Sequence, residues 1–189
     1  MNGRRRNPRY HVSTPFDGVL QTLTGATIES RDGSCLLASC DVPLRTGLSL
    51  ALDVFAGSTR RTLPVKVAES APVIQSGLVR YRLRLATVGS ASDVDREGLL
   101  VLDTPVRVLD ISESGFQLEA VRQRAAGTVG LLQVTVDGRS YEGEIRVIRS
   151  SAIEGAADRH RLGTEFLRTR RVPYGSALRT AFLAMMRTV

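Results

Sequence analysis

Tryptophan is absent from the 189 residues, and aromatic residues of all kinds make up only 5%. A core without large rings must be filled by aliphatic side chains, and the 42% hydrophobic content is enough to build one. Two cysteines, Cys35 and Cys40, are too few for a disulfide framework or a zinc site. Cys35 stands at an apolar strand-like position, where a buried thiol is the default. The only histidines, His11 and His160, are far apart with no carboxylate cluster beside either, so no metal site is expected. No apolar run approaches the roughly 20 residues that a membrane-spanning helix needs. The basic start is followed by no apolar leader segment, which leads to the expectation of a cytoplasmic protein. The chain has no G-x-S-x-G, no phosphate-cradling glycine loop and no dinucleotide fingerprint, so an enzyme is not expected.

What the chain does have is positive charge. Net charge is +7 and the pI about 10.4. Lys66 is the only lysine, and arginine is the better group for bidentate contacts to phosphate and guanine. The arginines cluster at the start, in Arg4-Arg5-Arg6-Asn7-Pro8-Arg9, where Asn7-Pro8 breaks any helix. Nonspecific nucleic-acid binding would suit such an arm and would fall steeply with salt. No aromatic platform accompanies it, so specific nucleic-acid recognition is not expected.

Most of the remaining sequence alternates with period two, the mark of half-buried strands. Residues 14–23 read as a first strand, with Thr24-Gly25 as punctuation. Leu48, Leu50, Leu52 and Val54 alternate strictly, as do Leu63, Val65 and Val67. Residues 72–77 read as a loop, and 78–85 as a further strand. The same order recurs: a short strand over 99–102 ended by Asp103-Thr104-Pro105, then alternation through Leu132, Val134 and Val136, and a hairpin signal at Asp137-Gly138. Gly47 and Gly127 are 80 positions apart, as are Val65 and Ile145. Arg80-Tyr81-Arg82-Leu83 matches Arg159-His160-Arg161-Leu162 at 79. Anchors at so constant a spacing indicate a duplicated unit of roughly six strands, the pattern of a small antiparallel barrel. The expected fold is therefore all-β, with two tandem six-stranded antiparallel barrels covering residues 1–90 and 91–189. The boundary is expected in the small polar stretch 88–92. After Pro173, Ser176 can cap a helix to about Arg187, with Leu178, Ala181, Phe182 and Met185 on one face.

Two stretches carry the interest. Asp110-Ile111-Ser112-Glu113-Ser114-Gly115 reads D-x-S-x-x-G, a polar turn between apolar strands, with Asp110 offering acceptors and Ser112 a hydroxyl. Gly115 is expected to free the backbone for a positive φ or a close ligand approach. Ile28-Glu29-Ser30-Arg31-Asp32-Gly33 aligns with it, since Ser30 and Ser112, and Gly33 and Gly115, are each 82 apart. In that alignment Ile28 takes the place of the Asp. The arm contributes Arg5-x-x-x-Arg9.

An R-x-x-x-R arm followed by a D/N-x-S-x-x-G turn on a small barrel resembles the PilZ family of bacterial cyclic di-GMP receptors, here as two copies over nearly the whole chain. The resemblance implies six-stranded barrels, often with a C-terminal helix, and a ligand held between arm and turn. Carried over, the ligand contacts are Arg5, Arg6 and Arg9 from the arm, Ser30 and Gly33 from the first turn, and Asp110, Ser112 and Gly115 from the second. It implies no cofactor beyond the ligand, and an output through an unidentified partner protein in motility, polysaccharide or adhesion control. A homodimer stays open.

The motifs are divided between the copies. The first has the arm but Ile28 for the Asp; the second has the full turn but no R-x-x-x-R before it. Three readings follow: the arm closes on the first turn, the arm reaches the second turn in the same chain or a dimer mate, or both copies are degenerate and the protein is an interaction module that binds no cyclic di-GMP.

Overall fold

The computed structural model describes residues 9–167 except 90, 92, 113 and 137. The expected helix over 176–187 lies outside the described residues, as do Arg5 and Arg6 of the arm. The described residues form ten strands and no helix: β1 (Arg9–Asp32), β2 (Cys35–Cys40), β3 (Ser49–Ala56), β4 (Thr59–Gln75), β5 (Leu78–Thr87), β6 (Glu97–Ser112), β7 (Gly115–Ala120), β8 (Val129–Val136), β9 (Arg139–Ile153) and β10 (Ala156–Phe166). The ladders between neighbouring strands are antiparallel.

The chain divides into two compact units, but not at residue 90. A central unit comprises Leu23–Leu102, and a terminal unit comprises the residues before and after it. In the central unit the strand order is β1-β2-β5-β4-β3-β6, using the second half of β1 and the first part of β6. In the terminal unit the order is β6-β7-β10-β9-β8-β1, using the remainder of the same two strands. Each has its own aliphatic core. The central one includes Leu36, Leu52, Val54, Val67, Leu83 and Leu100; the terminal one includes Leu20, Val108, Phe116, Leu118, Leu132 and Leu162. The expected division into 1–90 and 91–189 therefore assigns two strand segments to the wrong unit. Residues 18–22 pair with β8, and residues 98–101 pair with β3.

The duplication is visible in the ladders. Ala26↔Cys40 through Asp32↔Cys35 repeats as Val106↔Ala120 through Ser112↔Gly115, with a bulge at Glu29 in one and Leu109 in the other. Gly18↔Val134 repeats as Gly98↔Val54. Gly47 N–H donates to Val67 C=O at 2.7 Å, and Gly127 N–H to Val147 C=O at 2.7 Å. Both glycines have left-handed φ, +87° and +91°, a conformation that favours glycine. These equivalences run at 80, so the copies exchange their first strands: each supplies the other's unit with the segment its own sequence begins on.

The same register corrects the alignment of the two turns. Ser30 stands at the position of Asp110, Asp32 at that of Ser112, and Cys35 at that of Gly115. Ile28 is not a lost aspartate. It matches Val108, and both are core residues, 2% and 0% exposed. Residues expected to break strands also lie inside them. β4 continues through Pro72 to Gln75, leaving only Ser76-Gly77 as the turn, with φ of +51° and +76°.

Candidate functional site

The D-x-S-x-x-G turn joins β6 to β7 in the terminal unit. A bulge between Val108 and Asp110 changes the alternation, so that Ile111 and Ser112 are buried, at 1% and 5% exposure. The Ser112 hydroxyl donates to the Gly115 carbonyl at 3.2 Å and lies 3.2 Å from the Ser114 hydroxyl. It is thus part of the turn's own bonding. Gly115 sits in strand conformation, and its role is steric. A Cβ there would stand 1.9 Å from the Thr164 carbonyl oxygen. The expected positive φ belongs instead to Gly33, at +55° with open space around it. β10 is held against this turn by Phe166 N–H donating to Ser114 C=O at 2.9 Å, and by Phe116 N–H donating to Thr164 Oγ1 at 3.2 Å. The Phe116 and Phe166 rings meet edge to face, with centroids 4.8 Å apart.

Asp110 is half-buried and heads a row that crosses four strands. It pairs with Gln117 on β7, Gln117 with Gly163 on β10, and Gly163 with Arg149 on β9. Arg149 lies over the glycine: a Cβ on Gly163 would be 2.8 Å from Arg149 Nε and 2.9 Å from its Cγ. The row thus presents a carboxylate, an amide and an exposed arginine whose side chain covers the buried Gly163. That set can accept from a base N–H and donate to a carbonyl or phosphate oxygen. The neighbouring arginines are tied up, Arg107 with Asp17 at 3.6 Å, Arg146 with Glu165 at 3.3 Å, and Arg159 with Glu119. Gln117, Gly163 and Arg149 were not apparent from the sequence, because only the ladder register aligns them with Asp110.

The corresponding row in the central unit is Ser30, Leu37, Arg84 and Glu69. Here an arginine stands in place of the glycine. Arg84 pairs with Glu69 at 3.6 Å, and its Nε donates to Cys35 Sγ at 3.3 Å. Cys35 is only half-buried, against the expectation of a buried thiol; Cys40 is the buried one. Ser30 and Gly33 border a separate depression of about 340 Å³. Of the arm, Arg9 opens β1, whose first half belongs to the terminal unit. Beside that half of β1 runs an open depression of about 1010 Å³, lined among others by Phe16, Gly18, Val134 and Tyr141. It includes none of Asp110, Ser112 and Gly115. Among the described residues no group of three His, Cys, Asp or Glu side chains could hold a metal ion, and no helix is long and apolar enough to cross a membrane.

No family model matches the chain, and neither the curated proteins nor the solved structures give a match.

Proposed function

We propose that this chain is a cyclic di-GMP receptor whose two units are PilZ-type six-stranded barrels with exchanged first strands. The ligand site is in the terminal unit, between the arm residues Arg5, Arg6 and Arg9 and the turn of Asp110, Ser112 and Gly115. One observation carries this reading. β1, which continues directly from the arm at Arg9, shares the terminal unit with the complete D-x-S-x-x-G turn. The strand that follows the arm and the complete turn, which stand in different copies of the sequence, thus belong to one unit of the fold. Of the three sequence readings, the second is favoured, in its single-chain form.

The chemistry of the row supports it. Asp110 suits the N1–H and N2–H donors of a guanine edge, and arginine forks suit guanine O6/N7 and both phosphates. Arg149, exposed and lying across Gly163, offers a guanidinium to a phosphate or a base, whereas Arg84, which stands at the glycine's position in the central unit, is paired with Glu69. The protein acts by binding: ligand closure of the arm alters the surface that a downstream partner reads, in the cytoplasm, with no chemical step.

Calorimetric titration with cyclic di-GMP, with cyclic di-AMP as the control, tests the proposal. Arg5→Ala with Arg9→Ala removes at least two charge-assisted contacts, each about 1.5–3 kcal/mol, and is expected to weaken binding by 100-fold or more. Its melting temperature should match the unaltered chain's. No heat from the unaltered chain at millimolar ligand would leave the interaction-module reading in its place.

A further inference from the structure

The two copies differ at one end of each unit, where the central unit carries two arginines. In the terminal unit two apolar groups stand at this end. Ile111 is 1% exposed, and Phe16 packs against the core that contains it. By the ladder equivalence, the matching positions in the central unit are Arg31, which pairs with Leu36 as Ile111 does with Phe116, and Arg96, two residues before Gly98 as Phe16 is before Gly18. Two guanidinium groups replace an isoleucine and a phenylalanine. A depression of about 340 Å³ lies at these two arginines, lined by Ile28, Glu29, Ser30, Arg31, Gly33 and Arg96.

The lining is arranged for an anion. Arg96 is anchored at its backbone, where its carbonyl accepts from Ile28 N–H at 2.7 Å. Arg31 is fixed in the β1–β2 ladder. Among the described residues neither guanidinium has a carboxylate within ion-pair distance. Glu29, the one acid in the lining, is engaged by Arg82 at 2.9 Å. Ser30 adds a hydroxyl, and the left-handed Gly33 turn brings backbone close to the opening. Two arginine forks and a hydroxyl around a shallow depression match a tetrahedral oxyanion, with room beside it for a compact substituent.

We propose that the central unit binds a small phosphate-bearing anion in this depression, through Arg31, Arg96 and Ser30. The site is separate from the proposed cyclic di-GMP site and does not depend on it. The probe is inorganic phosphate, titrated into the full chain at constant ionic strength, with backbone amide shifts read by ¹H–¹⁵N NMR and sodium chloride as the control salt. Saturable shifts are expected at Ile28, Ser30, Arg31, Gly33 and Arg96, with at least tenfold weaker binding in Arg31→Ala with Arg96→Ala. Both arginines are on the surface, so the variant should keep its spectrum elsewhere. Asp110→Ala should titrate like the unaltered chain, which separates a failure here from a failure of the cyclic di-GMP reading. Shifts that grow linearly without saturating, or equal binding by the double variant, would overturn the proposal.

Discussion

Replacing Gly115 by alanine separates a structural glycine from a ligand-binding one. The added Cβ would lie 1.9 Å from the Thr164 carbonyl oxygen and 2.7 Å from Glu165 Cα, all backbone. A Cβ does not come within 3.0 Å of another heavy atom, so β7 and β10 must part by roughly 1 Å at this point. That stretches Phe166 N–H to Ser114 C=O and Phe116 N–H to Thr164 Oγ1, about 1 kcal/mol each. It also loosens the Phe116–Phe166 contact, about 1 kcal/mol more. With residual strain of about 1 kcal/mol or more, the total is about 3–5 kcal/mol, a large part of a small domain's stability. Urea unfolding followed by circular dichroism, with hydrogen exchange resolved by peptide, should show lost protection in β7 and β10 while β2 and β5 keep theirs. Gly33→Ala meets nothing within 4 Å, and strain at φ +55° should cost only about 1 kcal/mol. A Gly115→Ala variant within about 0.5 kcal/mol of the unaltered chain would refute the packing argument.

Three further outcomes follow from the same geometry. Residues 23–102 expressed alone keep every ladder of the central unit and should give a folded, dispersed NMR spectrum, whereas residues 1–90 leave β3 without its β6 partner and should not. Asp53, 5% exposed, accepts from Thr62 Oγ1 at 2.6 Å and pairs with Arg60; these contacts hold its carboxyl below the usual range despite burial. Its contribution is therefore present above the unfolded pKa of about 3.9 and lost as pH falls through the lower folded value. Asp53→Ala should cost about 1–2 kcal/mol at pH 7, most of it the Thr62 bond since Arg60 is largely exposed, and the difference should shrink in urea melts carried below pH 4. Burial pushes the Cys40 thiol up, so iodoacetamide at pH 8 should label Cys35 well before Cys40, as peptide mass spectrometry would read.

The strands were legible in the sequence because alternation reports which face is buried: Leu52, Val54, Leu132 and Val134 are core residues on the strands where period two set them. The duplication was legible for the same reason. The partners of the strands were not, since alternation carries no information about which strand lies alongside. Gly25 and Pro105 look like strand ends, yet each falls in the gap between two ladders of one long strand. β1 pairs with β8 up to Thr22 and with β2 from Ala26, and β6 pairs with β3 up to Val101 and with β7 from Val106. A proline there costs neither ladder a hydrogen bond. Matching serines and glycines set the turns 82 apart, whereas the bulges and ladders run at 80, so residue identity misled where register did not. Of the candidate row, Asp110 was visible as a motif residue. Gly163 and Arg149 were not, because their role arises only from lying across from it.

The central claim is that the arm and the second turn form one cyclic di-GMP site in the terminal unit. The most direct test is calorimetric titration of two paired variants, each checked for a retained fold by its amide NMR spectrum. Asp110→Ala with Gln117→Ala should weaken cyclic di-GMP binding by at least tenfold, while Ser30→Ala with Gly33→Ala should bind as the unaltered chain does, at one ligand per chain. The reverse pattern, with binding lost on changing Ser30 and Gly33 and retained on changing Asp110 and Gln117, would contradict the account.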